Sequence, residues 1–262
     1  MRKKKNVLIG ALSIGLIAAL AIGGTVAFLT DSEDATNRFS MGDLDIKLEE
    51  PEWDNGGDPV DPDDPDGPKT PGDGDDLLPG DVRKKDPTVT AVDGDSYMRV
   101  IMTIQNKDGS AITDPDRLSK IMETIYYADP VIEETASLSS EELADAGYTT
   151  VNESIFTLDS TRSAENVFYY NYTNAATGDI FKKDAVAVLF TNIVIPTDWN
   201  RTELALLGEY QIVLEAQAIQ SANFASAADA YTALDGEAAD GTLSVDYKTV
   251  GSQTTINAGG GN

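Results

Sequence analysis

Tyr97-Met98-Arg99-Val100-Ile101-Met102-Thr103-Ile104 is the stretch that decides the architecture of this chain. Aromatic and β-branched residues supply most of it and neither Gly nor Pro interrupts it, which is the composition of a strong β-strand. The same signature recurs on both sides. Upstream, Val89 and Val92 flank Thr90. Downstream, residues 154–158 and 167–172 read as strands, and 185–196 reads as a buried strand with a local break, carrying Val186, Val188, Phe190, Ile193 and Ile195. Residues 209–220 alternate Tyr210, Ile212, Leu214, Ala216 and Ala218 at period two. Residues 242–250 read as a last edge strand. Helices fit between the strands. Asp114-Pro115-Asp116 supplies an N-cap, a first-position proline and a first-turn acid, and Leu118, Ile121, Met122 and Ile125 follow at helical spacing. Ser139 and Glu142 form a capping box over 139–146, with Gly147 at the C-terminal end, and the Ala-rich 225–234 is helical. The fold class expected is mainly β: a jelly-roll-like β-sandwich with short helical insertions, preceded by a signal peptide.

That signal is read at the N-terminus. Arg2, Lys3, Lys4 and Lys5 precede an apolar and small-residue run from 7 to 27, and Thr25-Val26-Ala27 places small residues where a signal peptidase cuts between Ala27 and Phe28. An uncleaved anchor is the alternative, since a span needs roughly 20 apolar residues; both place the remainder outside the cell membrane. The organisation expected is a signal peptide over 1–27, an N-terminal strand segment over 28–50, an acidic insertion over 51–87, the sandwich over 88–250 and a loose tail over 251–262. In the second segment Phe39 and Met41 alternate with polar residues, while Leu44, Ile46 and Leu48 alternate on the opposite parity, with the change of phase at Gly42. Residues 51–87 hold 8 of the 11 prolines, and Asp58-Pro59-Val60-Asp61-Pro62-Asp63-Asp64-Pro65-Asp66-Gly67 is their densest part. So much like charge and so few apolar groups predict a largely disordered insertion.

Charge and missing residue types narrow the function. The chain carries 19 Lys and Arg against 45 Asp and Glu. With the signal removed, 15 basic residues remain and the formal net charge is −30. Such a surface repels nucleic acid and anionic lipid and attracts cations. The chain has no His and no Cys. It therefore has no disulfides, no Ser-His or Cys-His nucleophile and no HExxH zinc site. No catalytic residue, metal ligand or cofactor site is assigned. The Asp-rich insertion offers hard oxygen ligands, yet an EF-hand counted from Asp61 or Asp63 ends on Gly72 or Gly74 rather than Glu. Tyr169-Tyr170-Asn171-Tyr172 reads as strand rather than as a sugar-stacking face.

Several segments together resemble the TasA/camelysin family of Gram-positive matrix proteins. They are Lys3-Lys4-Lys5 with Gly23-Gly24-Thr25-Val26-Ala27-Phe28-Leu29-Thr30-Asp31; Thr36-Asn37-Arg38-Phe39-Ser40-Met41-Gly42-Asp43-Leu44-Asp45-Ile46; Leu78-Pro79-Gly80-Asp81 with Lys85-Asp86-Pro87-Thr88-Val89 and Tyr97-Met98-Arg99-Val100; and Leu189-Phe190-Thr191, Ile195-Pro196 and Leu207-Gly208-Glu209-Tyr210-Gln211-Ile212, continuing to Gln220. The acidic insertion departs from the family pattern. The resemblance implies a secreted jelly-roll protein, exported through signal peptidase W, that assembles with itself into extracellular biofilm fibres alongside other matrix proteins. It also implies donor-strand exchange, in which the N-terminal strand of one subunit completes the sheet of the next. Phe39, Met41, Leu44, Ile46 and Leu48 are the donor residues expected. The metallopeptidase label that camelysin-type members carry is not transferred, because neither His nor Cys is present to hold zinc. The alternative is an acidic secreted module binding calcium or a cell-wall or matrix ligand.

Overall fold

A computed structural model describes residues 30–32, 44–54 and 77–240. The expected cut at Ala27 and Phe28, the donor candidates Phe39 and Met41, residues 55–76 of the insertion and the strand expected over 242–250 lie outside the described residues.

The described chain is mainly β, as its patterning predicts. Three antiparallel sheets carry eleven strands among these residues. The decisive stretch lies within β5 (Ser96–Asn106), eleven residues long, and it pairs along its whole length with β11 (Tyr210–Gln220). β8 (Val167–Tyr172) flanks β5 on the other side, β7 (Phe156–Leu158) flanks β8, and β1 (Thr30–Ser32) lies on the outer side of β11. A second sheet runs β2 (Asp45–Glu49), β4 (Thr88–Asp93), β9 (Val186–Val188). A third runs β3 (Val82–Lys84), β10 (Asn192–Val194), β6 (Ile125–Tyr126).

Strand parity builds the core. Side chains alternate between the faces of a strand, so Met98, Val100, Met102 and Ile104 of β5 point the same way, as do Tyr210, Ile212, Leu214, Ala216 and Ala218 of β11. All nine lie in one buried cluster with Ile46 and Leu48 of β2, Val89 and Ala91 of β4 and Ala187 of β9. The five-stranded sheet and the β2-β4-β9 sheet thus share one interior, the sandwich the alternation predicts. On its other face the five-stranded sheet is partly covered by α5 (Ala227–Asp240), whose Ala230, Tyr231 and Leu234 pack on Tyr97 and Ile219.

The helices follow their caps. Asp114 accepts from Asp116 N–H and Arg117 N–H at the start of α2 (Pro115–Met122), and Ser139 and Glu142 close a capping box on α3 (Ser140–Asp145). The sequence reading misses α4 (Arg201–Leu207), although Asn200 and Glu203 form the same reciprocal box. It ends at Gly208, whose φ of 56° favours glycine and which sits against the guanidinium of Arg117.

Three boundaries differ from those expected. The run 185–196 is two strands in different sheets. The break falls at Leu189-Phe190-Thr191, where Leu189 N–H donates to Pro87 O and Thr191 N–H to Tyr126 O, so the chain leaves one sheet and joins the other. The insertion is narrower than 51–87: α1 (Pro51–Asp54) buries Trp53, and Leu77, Val82 and Lys85 are buried as well. Finally, the sandwich begins at β2 rather than at residue 88, since Ile46 and Leu48 are part of its core.

Candidate assembly edge

The features that bear on function gather at the N-terminal side of the sandwich. β11 is paired on its inner side by β5 over all eleven residues, Tyr210↔Asn106 through Gln220↔Ser96. On its outer side, among the described residues, only β1 pairs with it, through Thr30↔Ile219, Asp31↔Ala218 and Ser32↔Gln217. Among the described residues no strand pairs with residues 210–216 on that side, although all of them but Val213 are buried. A strand edge without a pairing partner is a template for a further strand.

The expected donor residues divide. Leu44 is half-buried against the core, and Ile46 and Leu48 are 1% and 2% exposed. β2 lies in its own chain's sheet in register with β4, with Ile46↔Ala91, Lys47↔Thr90, Leu48↔Val89 and Glu49↔Thr88, and a bulge after Asp45.

Just past β2 lies an ion pair that the sequence patterning did not reveal. Lys85 Nζ donates to Glu50 Oε2 at 2.6 Å with both side chains almost fully buried. The Trp53 ring covers it, its centroid 4.8 Å from Nζ. Lys85 N–H donates to Thr191 O at 3.0 Å, which ties the cation to the start of β10. No periodicity could have flagged this pair, because its members are 35 residues apart on either side of the insertion.

A second polar group lies on the face of β5 and β11 beneath α5. Arg99 is buried, donates to Gln217 Oε1 and Asp235 Oδ1 at 2.7 Å each, and lies over the Tyr169 ring. Asp235 also receives Arg162 Nε at 2.5 Å. Against the burial that would raise it, the Thr161 hydroxyl, the Arg162 guanidinium and the Asn171 amide hold the Asp159 carboxyl far below the usual range. Burial pushes Glu215 upward, partly offset by a hydrogen bond from Gln217 and the charge of Arg99. The same cause lifts the Tyr170 phenol to about 12. Every charge in this group is matched inside the chain, so the arrangement fastens α5 to the sheet. A surface groove lined by Asn106, Asp114, Arg117, Leu206, Gly208 and Glu209 is similarly self-satisfied, because Arg117 already donates to Asn106 Oδ1, Leu207 O and Glu209 O.

Residues 2–61 match the family model described as camelysin metallo-endopeptidase. No curated protein and no solved structure is significantly similar to the chain. That description implies a zinc ion. Zinc is held by imidazole, thiolate or well-organised carboxylates. The chain has neither of the first two, and among the described residues no three His, Cys, Asp or Glu side chains gather where a metal could be held. These residues do not fit a zinc site, and no hydrolytic step is derived from them. Among the described residues no helix is long and apolar enough to cross a membrane. Over residues 2–61, which carry the junction and strand motifs quoted above, the chain is thus similar to the camelysin family.

Proposed function

We propose that this chain is a secreted structural subunit that polymerises with itself into extracellular matrix fibres once its signal segment is removed. The observation that carries this reading is the unequal pairing of β11 among the described residues: β5 pairs with all eleven of its residues on one side, and the three-residue β1 with three on the other. The same segment 28–43 that leads into the fold stands immediately behind the expected cut at Ala27. Before cleavage it is tethered to the membrane; afterwards it is free to pair with the β11 edge of another copy. Main-chain hydrogen bonds supply affinity in such strand addition, and pockets for alternate side chains supply register.

The donor is then the segment ahead of β2, with Phe39 and Met41 among its apolar residues. Repulsion between chains of net charge −30 opposes growth and is screened by salt over about 8–10 Å at physiological ionic strength. Electron microscopy of the purified chain starting at Phe28 tests the reading. It should form fibres, and faster as salt rises, whereas a chain starting at Leu44 keeps β2 and should remain a folded, soluble monomer. Fibres from the shorter chain that match those of the longer one would refute N-terminal exchange.

A further inference from the structure

The two N-terminal strands are held very unequally. β1 has three register pairs to β11. β2 has five to β4, two core side chains, and directly after it the buried Glu50–Lys85 pair beneath Trp53. We propose that Glu50, Lys85 and Trp53 form a clamp that keeps β2 in its own subunit and confines strand exchange to the residues before Asp45. The inference rests on the strand-exchange reading above and adds where the exchanged segment ends.

The physical argument is one of charge in a dry place. Withdrawing β2 takes Glu50 with it and leaves the Lys85 ammonium buried without its carboxylate. Breaking a buried pair from one side is far more costly than never having built it. Lys85 cannot readily follow, because it is fixed to the third sheet through Thr191 O, and β3 immediately before it pairs with β10. Pulling on the N-terminus therefore detaches β1 first and stops at β2, which Glu50 anchors from behind. The clamp also separates two roles. Glu50 precedes and Lys85 follows the acidic insertion, so a cut within 55–76 leaves β2 attached through both sheet and ion pair. An incoming donor meets an acceptor whose core is already complete on the β2 side.

The test uses the chain starting at Phe28, into which cysteines can be placed without competition because it has none of its own. The pair Lys47→Cys/Thr90→Cys locks β2 to β4, and Asp31→Cys/Ala218→Cys locks β1 to β11, each at positions opposite one another in register. Fibre growth is followed by light scattering and microscopy, oxidised and reduced. The β2 lock should grow equally well in both states. The β1 lock should stop growth when oxidised and regain it on reduction. If the β2 lock also stops growth, β2 is exchanged and the clamp is wrong while strand exchange stands. If neither lock stops growth, or no form assembles even when reduced, the strand-exchange reading fails and takes the inference with it.

Hydrogen exchange of the same chain as a monomer tests the clamp independently. Lys85→Met should speed exchange at the Ile46 and Leu48 amides on the order of a hundredfold. The double change Glu50→Leu/Lys85→Met should restore most of the protection, since neither charge is then buried. Unaltered exchange in Lys85→Met would show that the pair does not hold β2.

Discussion

Arg99 Nη1 lies 2.7 Å from Asp235 Oδ1, which ties a guanidinium that is shut away from water on β5 to the C-terminal helix α5. The contact spans 136 residues of sequence and places one acid over two arginines, since Arg162 reaches the other oxygen of the same carboxylate. Through it, the outer face of the sheet that offers the β11 edge is kept covered and rigid.

Asp235→Ala should therefore loosen α5 before it unfolds the sandwich. Arg99 keeps Gln217 but loses its charged partner, and a hydrogen bond to a charged group contributes about 1.5–3 kcal/mol. Because Asp235 is 40% exposed, the lower end of that range is expected. Proteolysis within residues 227–240 should accelerate, while the amides of β5 stay protected from exchange.

Glu215 gives a pH prediction with a definite sign. Burial raises its pKa in the folded chain, so the folded state holds the proton more tightly than the unfolded state does. The neutral carboxyl's advantage is complete below the unfolded value of about 4.3 and is lost as pH rises through the raised folded value. Above that raised value the chain keeps a carboxylate that burial disfavours. Glu215→Gln should raise the melting temperature at pH 7, because the Gln carbonyl still accepts from Gln217. The difference from wild type should shrink as the pH approaches 4. Calorimetry of both chains across that range checks it.

Leu48→Ala distinguishes a core strand from a waiting donor strand. Leu48 is 2% exposed in its own subunit, so removing its side chain should cost about 2–5 kcal/mol of monomer stability. Ile46→Asp should go further and prevent folding, because it buries an unpaired charge. Urea unfolding of monomers checks both, and a Leu48→Ala monomer as stable as wild type would mean that β2 does not belong to the core.

Much of the fold was legible because period-two alternation survives wherever one face of a strand meets the core. Tyr210 through Ala218 place their inward residues correctly from pattern alone, residues 97–104 form the strand that their composition predicts, and Asp114 and Ser139 cap the helices that they announce. α4 was not expected, even though Asn200 and Glu203 carry the same local chemistry as Ser139 and Glu142. The role of β2 was harder. Leu44, Ile46 and Leu48 alternate as any half-buried strand does, and alternation identifies an apolar face without saying whose core it enters. Glu50 and Lys85 were illegible for a different reason: a buried ion pair is defined by proximity across 35 residues, and the charged insertion between them hides two ordinary-looking residues among many.

The central claim is that residues ahead of β2 leave their own β11 edge and pair with that of another copy, and a trans cross-link tests it most directly. One chain carries only Asp31→Cys and a second only Ala218→Cys, at positions that face each other in register. Neither can form that link within itself. When the two are mixed, assembled and oxidised, mass spectrometry of the fibres should find the 31–218 disulfide between different chains in high yield, and the unassembled mixture should show little of it. Well-formed fibres in which residue 31 of one chain is never linked to residue 218 of another would contradict the account.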